Sequence, residues 1–277
     1  MDQPAIFDRP ARRLRRDRIA PRYAEHDFLR AHMIDGLLDR LATVTRGFGE
    51  VLDLGCFDAS FTLPGARIAR LDAGFGFARA AGGVQAEEDR PPFGDASFDL
   101  IVSAGVLDQV DDVPGALALV RRMLRPDGLF LGAFVGAGSL PTLRACLRQT
   151  EGGGVARFHP QIDVRSAGDL LMRAGLTLPV ADAETLSVRY SDVFRLLADL
   201  RGMGASNLLP GRVPMSRATL GGVAQAFAAR ADADGRTAER FEMVFLTGWA
   251  PDPSQPKPAR RGSGTTSLAD ALRPPSD

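Results

Sequence analysis

The run Glu50-Val-Leu-Asp-Leu-Gly55 sets three apolar residues around one acid and stops at a glycine, which reads as a short buried strand ending in a turn. Upstream, apolar side chains at 29, 33, 37, 41 and 44, with 34 and 38 beside them, form a helical stripe over Glu25 to Val44. Gly47-Phe-Gly49 breaks that stripe just before the strand. Downstream, Arg67-Ile-Ala-Arg-Leu-Asp72, a brief Val84-Gln-Ala86 and Phe98-Asp-Leu-Ile-Val-Ser103 read as further strands, and Leu107 to Val110 continues the loop past them. A helix then starts near Val113, with Pro114 in its first turn and Leu117, Val120, Met123 and Leu124 on one side. Arg125-Pro-Asp-Gly128 is a turn in which proline sets φ and glycine is expected to take the positive φ. Leu129 to Val135 is another buried strand. Strands alternating with helical patterns predict an α/β protein with a mostly parallel sheet flanked by helices.

The second half carries the same alternation. Ser166 with Asp169 resembles a helix-capping pair, and Gly175 ends that helix. Leu176 to Val180 is apolar enough for a strand, and Ser191 opens a helix with Val193, Leu196, Leu197 and Leu200 on one stripe. Phe241 to Trp249 is the last strand. After Ala250, six prolines in 27 residues leave too little apolar surface to offset ordering entropy, so 251–277 is expected to be a disordered tail. The expected organisation is a basic arm over 1–24, one domain over 25–250, and that tail. Between Asp8 and Arg22 the arm holds seven arginines. A solvated helix face with stems lying on the domain is the plainer reading; an arm that docks on an acidic partner is the sharper one.

Composition narrows the classes further. The 34 basic and 34 acidic residues cancel, which disfavours nucleic-acid or membrane-surface binding driven by overall charge. No apolar run approaches the ~20 residues of a membrane span. The first residues lack a secretory apolar core, so a cytoplasmic location, in a bacterium, is expected. Cys56 and Cys146 alone exclude a disulfide framework or a four-cysteine zinc site. The histidines are His26, His32 and His159, and the first two fall on different faces of a helix, so no metal site is expected.

Polar residues gather where the strands end. Asp53-Leu-Gly55 ends the first strand, Asp72 ends the second 19 residues on, Glu87-Glu88-Asp89 follows the third, and Ser103 ends the fourth. Open α/β sheets bind ligands beyond the carboxyl ends of their strands, and an acid about 20 residues past the glycine turn accepts the hydrogen bonds of a ribose diol.

In this order, and followed by Leu124-Arg-Pro-Asp-Gly-Leu-Phe130, these signals resemble the class I S-adenosylmethionine-dependent methyltransferases and their Rossmann-like fold, with an α-rich insertion in the second half. That resemblance implies S-adenosyl-L-methionine as cofactor. It assigns Gly55 to backbone contact with the methionine part, Asp72 to ribose and Glu87 to adenine, with Asp53 supporting the turn. Ile6-Phe-Asp-Arg9, Leu200-Arg-Gly-Met-Gly-Ala-Ser-Asn207, Gly248-Trp249 and Arg261-Gly-Ser-Gly-Thr-Thr-Ser-Leu268 extend the likeness over almost the whole chain. They resemble the respiratory complex I assembly factor 5 branch, related to the biotin-pathway malonyl-carrier methyltransferases. This implies a protein substrate, a complex I subunit, and in mitochondrial members arginine hydroxylation. The 2-His-1-carboxylate set of an oxygen-activating iron enzyme is not evident from the spacing.

The departures fall on the cofactor face. The family's Gly-Cys-Gly-x-Gly turn is here Gly55-Cys56-Phe57-Asp58-Ala59, and Pro64-Gly65 interrupts the helix that should follow. Where relatives carry Leu-His-Trp, this chain has Leu107-Asp108-Gln109. A working site that has drifted and a binding factor that has lost its cofactor both remain open. No catalytic residue is assigned; Asp108, Tyr190 and His159 are candidates by chemistry alone.

Overall fold

A computed structural model describes residues 5–256 and 267. The strands are β1 (Glu50–Leu54), β2 (Arg67–Asp72), β3 (Val84–Gln85), β4 (Phe98–Ala104), β5 (Leu124–Val135), β6 (Thr177–Tyr190) and β7 (Thr237–Trp249). They form one sheet in the order β3-β2-β1-β4-β5-β7-β6. The pairs from β3 through β5 are parallel, and β7 runs antiparallel to both its neighbours. The helices are α1 (Arg9–Ile19), α2 (Phe28–Ala42), α3 (Phe75–Ala80), α4 (Val113–Met123), α5 (Pro141–Glu151), α6 (Val164–Arg173), α7 (Val193–Gly202) and α8 (Arg217–Ala228). This is the Rossmann-like class I methyltransferase architecture.

Alternation along the strands divides the core. Leu52, Leu54, Ile101, Phe130 and Phe134 face α4 and α6, whereas Val51, Leu100, Val102, Leu129 and Leu131 face α2. A third cluster joins α5, α7 and α8 to Phe241 and Tyr190, and it is the α-rich part of the second half. The order reverses at β1 and β4, so the carboxyl ends of β1, β2 and β4 open onto a common crevice.

Several local expectations are corrected. Residues 125–128, expected as a turn, form the irregular first part of β5. The positive φ there falls on Asp127 (+58°), a residue type that tolerates the left-handed region, and not on Gly128. Asp163 caps α6 by accepting from the amides of Arg165 and Ser166, displacing the Ser166–Asp169 pair. The strand expected over 176–180 runs on to Tyr190 as a sheet edge; its alternation of half-buried and exposed residues hides it from a search for apolar runs. The arm is not a solvated face at its centre: Arg12 and Arg16 are buried, and α1 packs on α3. The tail expectation lies mostly outside the described residues, which include 251–256 and 267 of it.

Candidate functional site

Gly55 closes β1 with φ +85°, its amide and that of Cys56 donating to the Leu71 carbonyl, and a Cβ there would meet Val106 at 2.5 Å. The turn keeps this left-handed course without further glycine: Phe57 has φ +46° and Ala59 +61°. Phe57 is buried, stacked on Tyr23 at 4.7 Å between centroids and edge-on to Phe77 at 5.2 Å. The Arg16 guanidinium lies 3.9 Å from the Phe57 ring centroid.

The four residues assigned to a cofactor gather at the strand ends. Asp72 is fully buried and accepts from Arg16 Nε at 2.8 Å, from Arg16 Nη2, and from the amides of Phe57 at 3.0 Å and Gly74 at 2.7 Å. Burial pushes its carboxyl up, but Arg16 and these donors outweigh burial and hold it below the usual range. Glu87 accepts from Arg12 at 2.9 Å and Arg13 at 2.6 Å, Glu88 takes both Arg12 nitrogens at 2.7 Å, and Asp89 pairs with Arg9. Three turns of α1 therefore lie along the acids at the ends of β2 and β3. Asp53 is buried behind the turn, 3.5 Å from Arg30, with its second oxygen lacking a partner among the described residues.

Burial raises Asp53 from its ordinary 3.8 to about 6, and raises Asp108 similarly. A carboxyl whose folded-state pKa lies above its unfolded value keeps its proton in the fold. Its contribution is complete below the unfolded value and is lost as pH rises through the folded one. Stability should thus fall between about pH 4 and pH 6, by up to ~1.4 kcal/mol per pH unit per group. Urea melts of Asp53→Asn at pH 4.5 and 6.5 check this: the variant should lose part of the slope, and an unchanged slope rejects the assignment.

Beside the acid face lies a pocket of about 560 Å³ between the strand ends and the α5–α7–α8 lobe. Its walls include Leu29, Leu143, Leu200, Met203 and Phe241, and Asp108 lines it where it adjoins the arginine layer. Every lining arginine is engaged: Arg15 by the carbonyls of Ser206 and Asn207, Arg157 by Glu151, Arg212 by Asp8, and Arg201 by the Leu197 carbonyl. His159 is structural, accepting from the Leu208 amide at 2.8 Å and meeting Phe7 edge-on; burial and Arg15 lower it to about 4, so it stays neutral. Tyr190 belongs to the lobe's core and not to the pocket. The arginine network was missed because its partners lie 56 to 102 residues apart in sequence.

Residues 52–132 match the methyltransferase domain family. The chain is 32% identical to the mitochondrial arginine-hydroxylase NDUFAF5 of Danio rerio over 96% of its own length and 89% of that protein's. The chain belongs to the NDUFAF5 branch of the class I methyltransferases. Within the same superfamily, the malonyl-[acyl-carrier protein] O-methyltransferase of Methylovorus sp. is 31% identical over 89% of this chain and 90% of its own. The YcgJ protein of Bacillus subtilis superposes with a TM-score of 0.56 over 80% of this chain and 99% of its own; at 16% identity this speaks for the fold.

The superfamily's cofactor is S-adenosylmethionine, and Asp72 and Glu87 are the acids its pattern assigns to ribose and adenine. With α1 docked, the face does not fit that molecule. A carboxylate offers roughly four acceptor positions, and those of Asp72 are met by two Arg16 and two backbone donors. The Phe57 ring stands beside the turn, where the family pattern has glycine.

Proposed function

We propose that this chain is a methyltransferase-like protein that acts on a protein partner in respiratory complex I assembly, receiving a partner side chain in the pocket beside its cofactor face. The observation that carries this reading is the position of the 200–207 segment, which the family likeness singles out and which borders the pocket through Leu200, Met203, Ala205, Ser206 and Asn207. The segment is held by its own turn. Gly204 at φ +80° ends α7, with the Ala205 amide donating to the Leu200 carbonyl at 2.8 Å. Met203 then projects into the pocket wall, an adaptable apolar side chain suited to an irregular surface. The NDUFAF5 relatives are arginine hydroxylases, and that chemistry is the alternative activity for this pocket. A noncatalytic assembly factor is favoured by one observation, the saturation of Asp72 by Arg16 and two backbone amides.

Met203→Ala and Gly204→Val test the reading in cells that assemble complex I. Met203→Ala is expected to melt near the wild-type temperature and to lose co-purification with complex I assembly intermediates at least ~10-fold, about 1.4 kcal/mol of contact. Gly204→Val should also destabilise, because a β-branched residue is strained at positive φ. Full co-purification by a stably folded Gly204→Val protein rejects the contact.

A further inference from the structure

We propose that α1 is the resident occupant of the fold's cofactor face, and that α1 and S-adenosylmethionine exclude one another there. Three independent features build this seat. The first is charge: Arg16 takes Asp72, Arg12 takes Glu87 and Glu88, and Arg9 takes Asp89 and Asp111. Arg12 and Arg16 and their acids are at most 5% exposed, so these pairs are not surface decoration. The second is shape, for the Arg16 guanidinium lies over the Phe57 ring, 3.9 Å from its centroid, and Phe57 is backed by Tyr23 and Phe77. The third is the backbone seam. A Cβ on Gly74 would sit 2.7 Å from the Arg16 Cβ, so the loop after β2 is cut back where α1 crosses it. The Asp17 carboxylate then accepts from the Gly76 amide at 2.9 Å, tying α1 to α3.

The same helix reaches the pocket. The Asp8 amide donates to the Leu208 carbonyl at 2.9 Å, Asp8 pairs with Arg212, and Arg15 holds the Ser206 and Asn207 carbonyls. Moving α1 therefore empties the acid face and at the same time removes these holds on the segment that borders the pocket, leaving it tied by His159 and the Ala156 carbonyl. Cofactor entry and the setting of the 206–208 backbone become one equilibrium, shifted only by the difference in affinity of the ligand for the two arrangements. This inference does not depend on which partner the pocket receives.

Titration of the full chain with S-adenosylmethionine, followed by hydrogen exchange on the same samples, tests it. The variant is Arg12→Lys with Arg16→Lys: it keeps the positive charge over the acids but loses the paired donors and the guanidinium over Phe57. Gly74→Ala, which crowds Arg16 without leaving a carboxylate bare, serves if the lysine protein does not fold. Wild type is expected to bind no tighter than roughly 1 mM, and the variant at least ~10-fold more tightly. Wherever binding occurs, amides 12–19 should exchange faster with ligand than without it. Equal affinity of both proteins, no binding by the folded variant, or binding with α1 still protected would each overturn the proposal.

Discussion

Arg16→Ala is expected to lower the unfolding free energy by about 3–5 kcal/mol, because it strands the Asp72 carboxylate in a dry environment. Asp72 is fully buried, and Arg16 supplies its counter-charge and two of its hydrogen bonds. The substitution also removes the cation from the face of Phe57. Two amides remain on the carboxylate, from Phe57 and Gly74, and they limit the loss without neutralising the charge. Arg18→Ala on the exposed side of the same helix is the control, with a change within about 0.5 kcal/mol. Chemical denaturation of both variants at neutral pH reads the difference. A loss under ~1 kcal/mol for Arg16→Ala would place α1 off the body in solution, since exposed ion pairs are worth no more than that.

Phe57→Gly should cost the fold about 1–4 kcal/mol, the balance of two opposing effects. Emptying the space of a buried phenylalanine costs about 3–5 kcal/mol when the surroundings cannot collapse. Tyr23, Phe77 and Arg16 all touch that ring, so a large part of this applies. Against it, glycine relieves the left-handed strain at φ +46°, worth about 1–2 kcal/mol for an L-residue. Phe57→Ala keeps most of that strain and also loses the ring, so it should be the less stable of the two by about 1 kcal/mol. Equal or greater stability of Phe57→Gly than wild type would show that the ring is not packed as described. The two substitutions bear on one question, since the Arg16–Phe57 contact is what a ligand entering this face has to break.

Among the parallel strands, β1, β4 and the 129–135 part of β5 were legible as short apolar runs bounded by a turn or an acid, a composition that burial on both faces forces. β2 and β3 are more exposed and were legible by their place between turns and acids. β1, β2 and β4 start where the residue pattern places them. The antiparallel edge was not legible beyond its first residues. In β6 one face meets solvent, so apolar residues alternate with Asp182, Glu184 and Arg189, and the pattern resembles a loop. α5 and α8 escaped notice for a related reason. They bury narrow stripes against each other in the lobe, and Gly221 and Gly222 in α8 weaken its helical signal.

At the site, the acids could be read because a strand end beside a reversal of strand order needs polar residues whatever they bind. Asp53, Gly55, Asp72 and Glu87 stand there for that reason, and the departure at Phe57 and Ala59 was visible as two side chains where a glycine pattern should be. The sequence by itself therefore determined the parallel part of the sheet, the crevice and the charge on its rim. Which group satisfies that charge was decided only by tertiary structure. Arg12 and Arg16 are two among seven similar residues, and nothing local separates them from Arg13 and Arg18. They differ because a helix turns about 100° per residue, so residues four apart share one face, and packing on α3 turns that face inward. An unpaired buried carboxylate is so costly that, once the fold had brought Asp72 and α1 together, the arginine facing it had to become its partner.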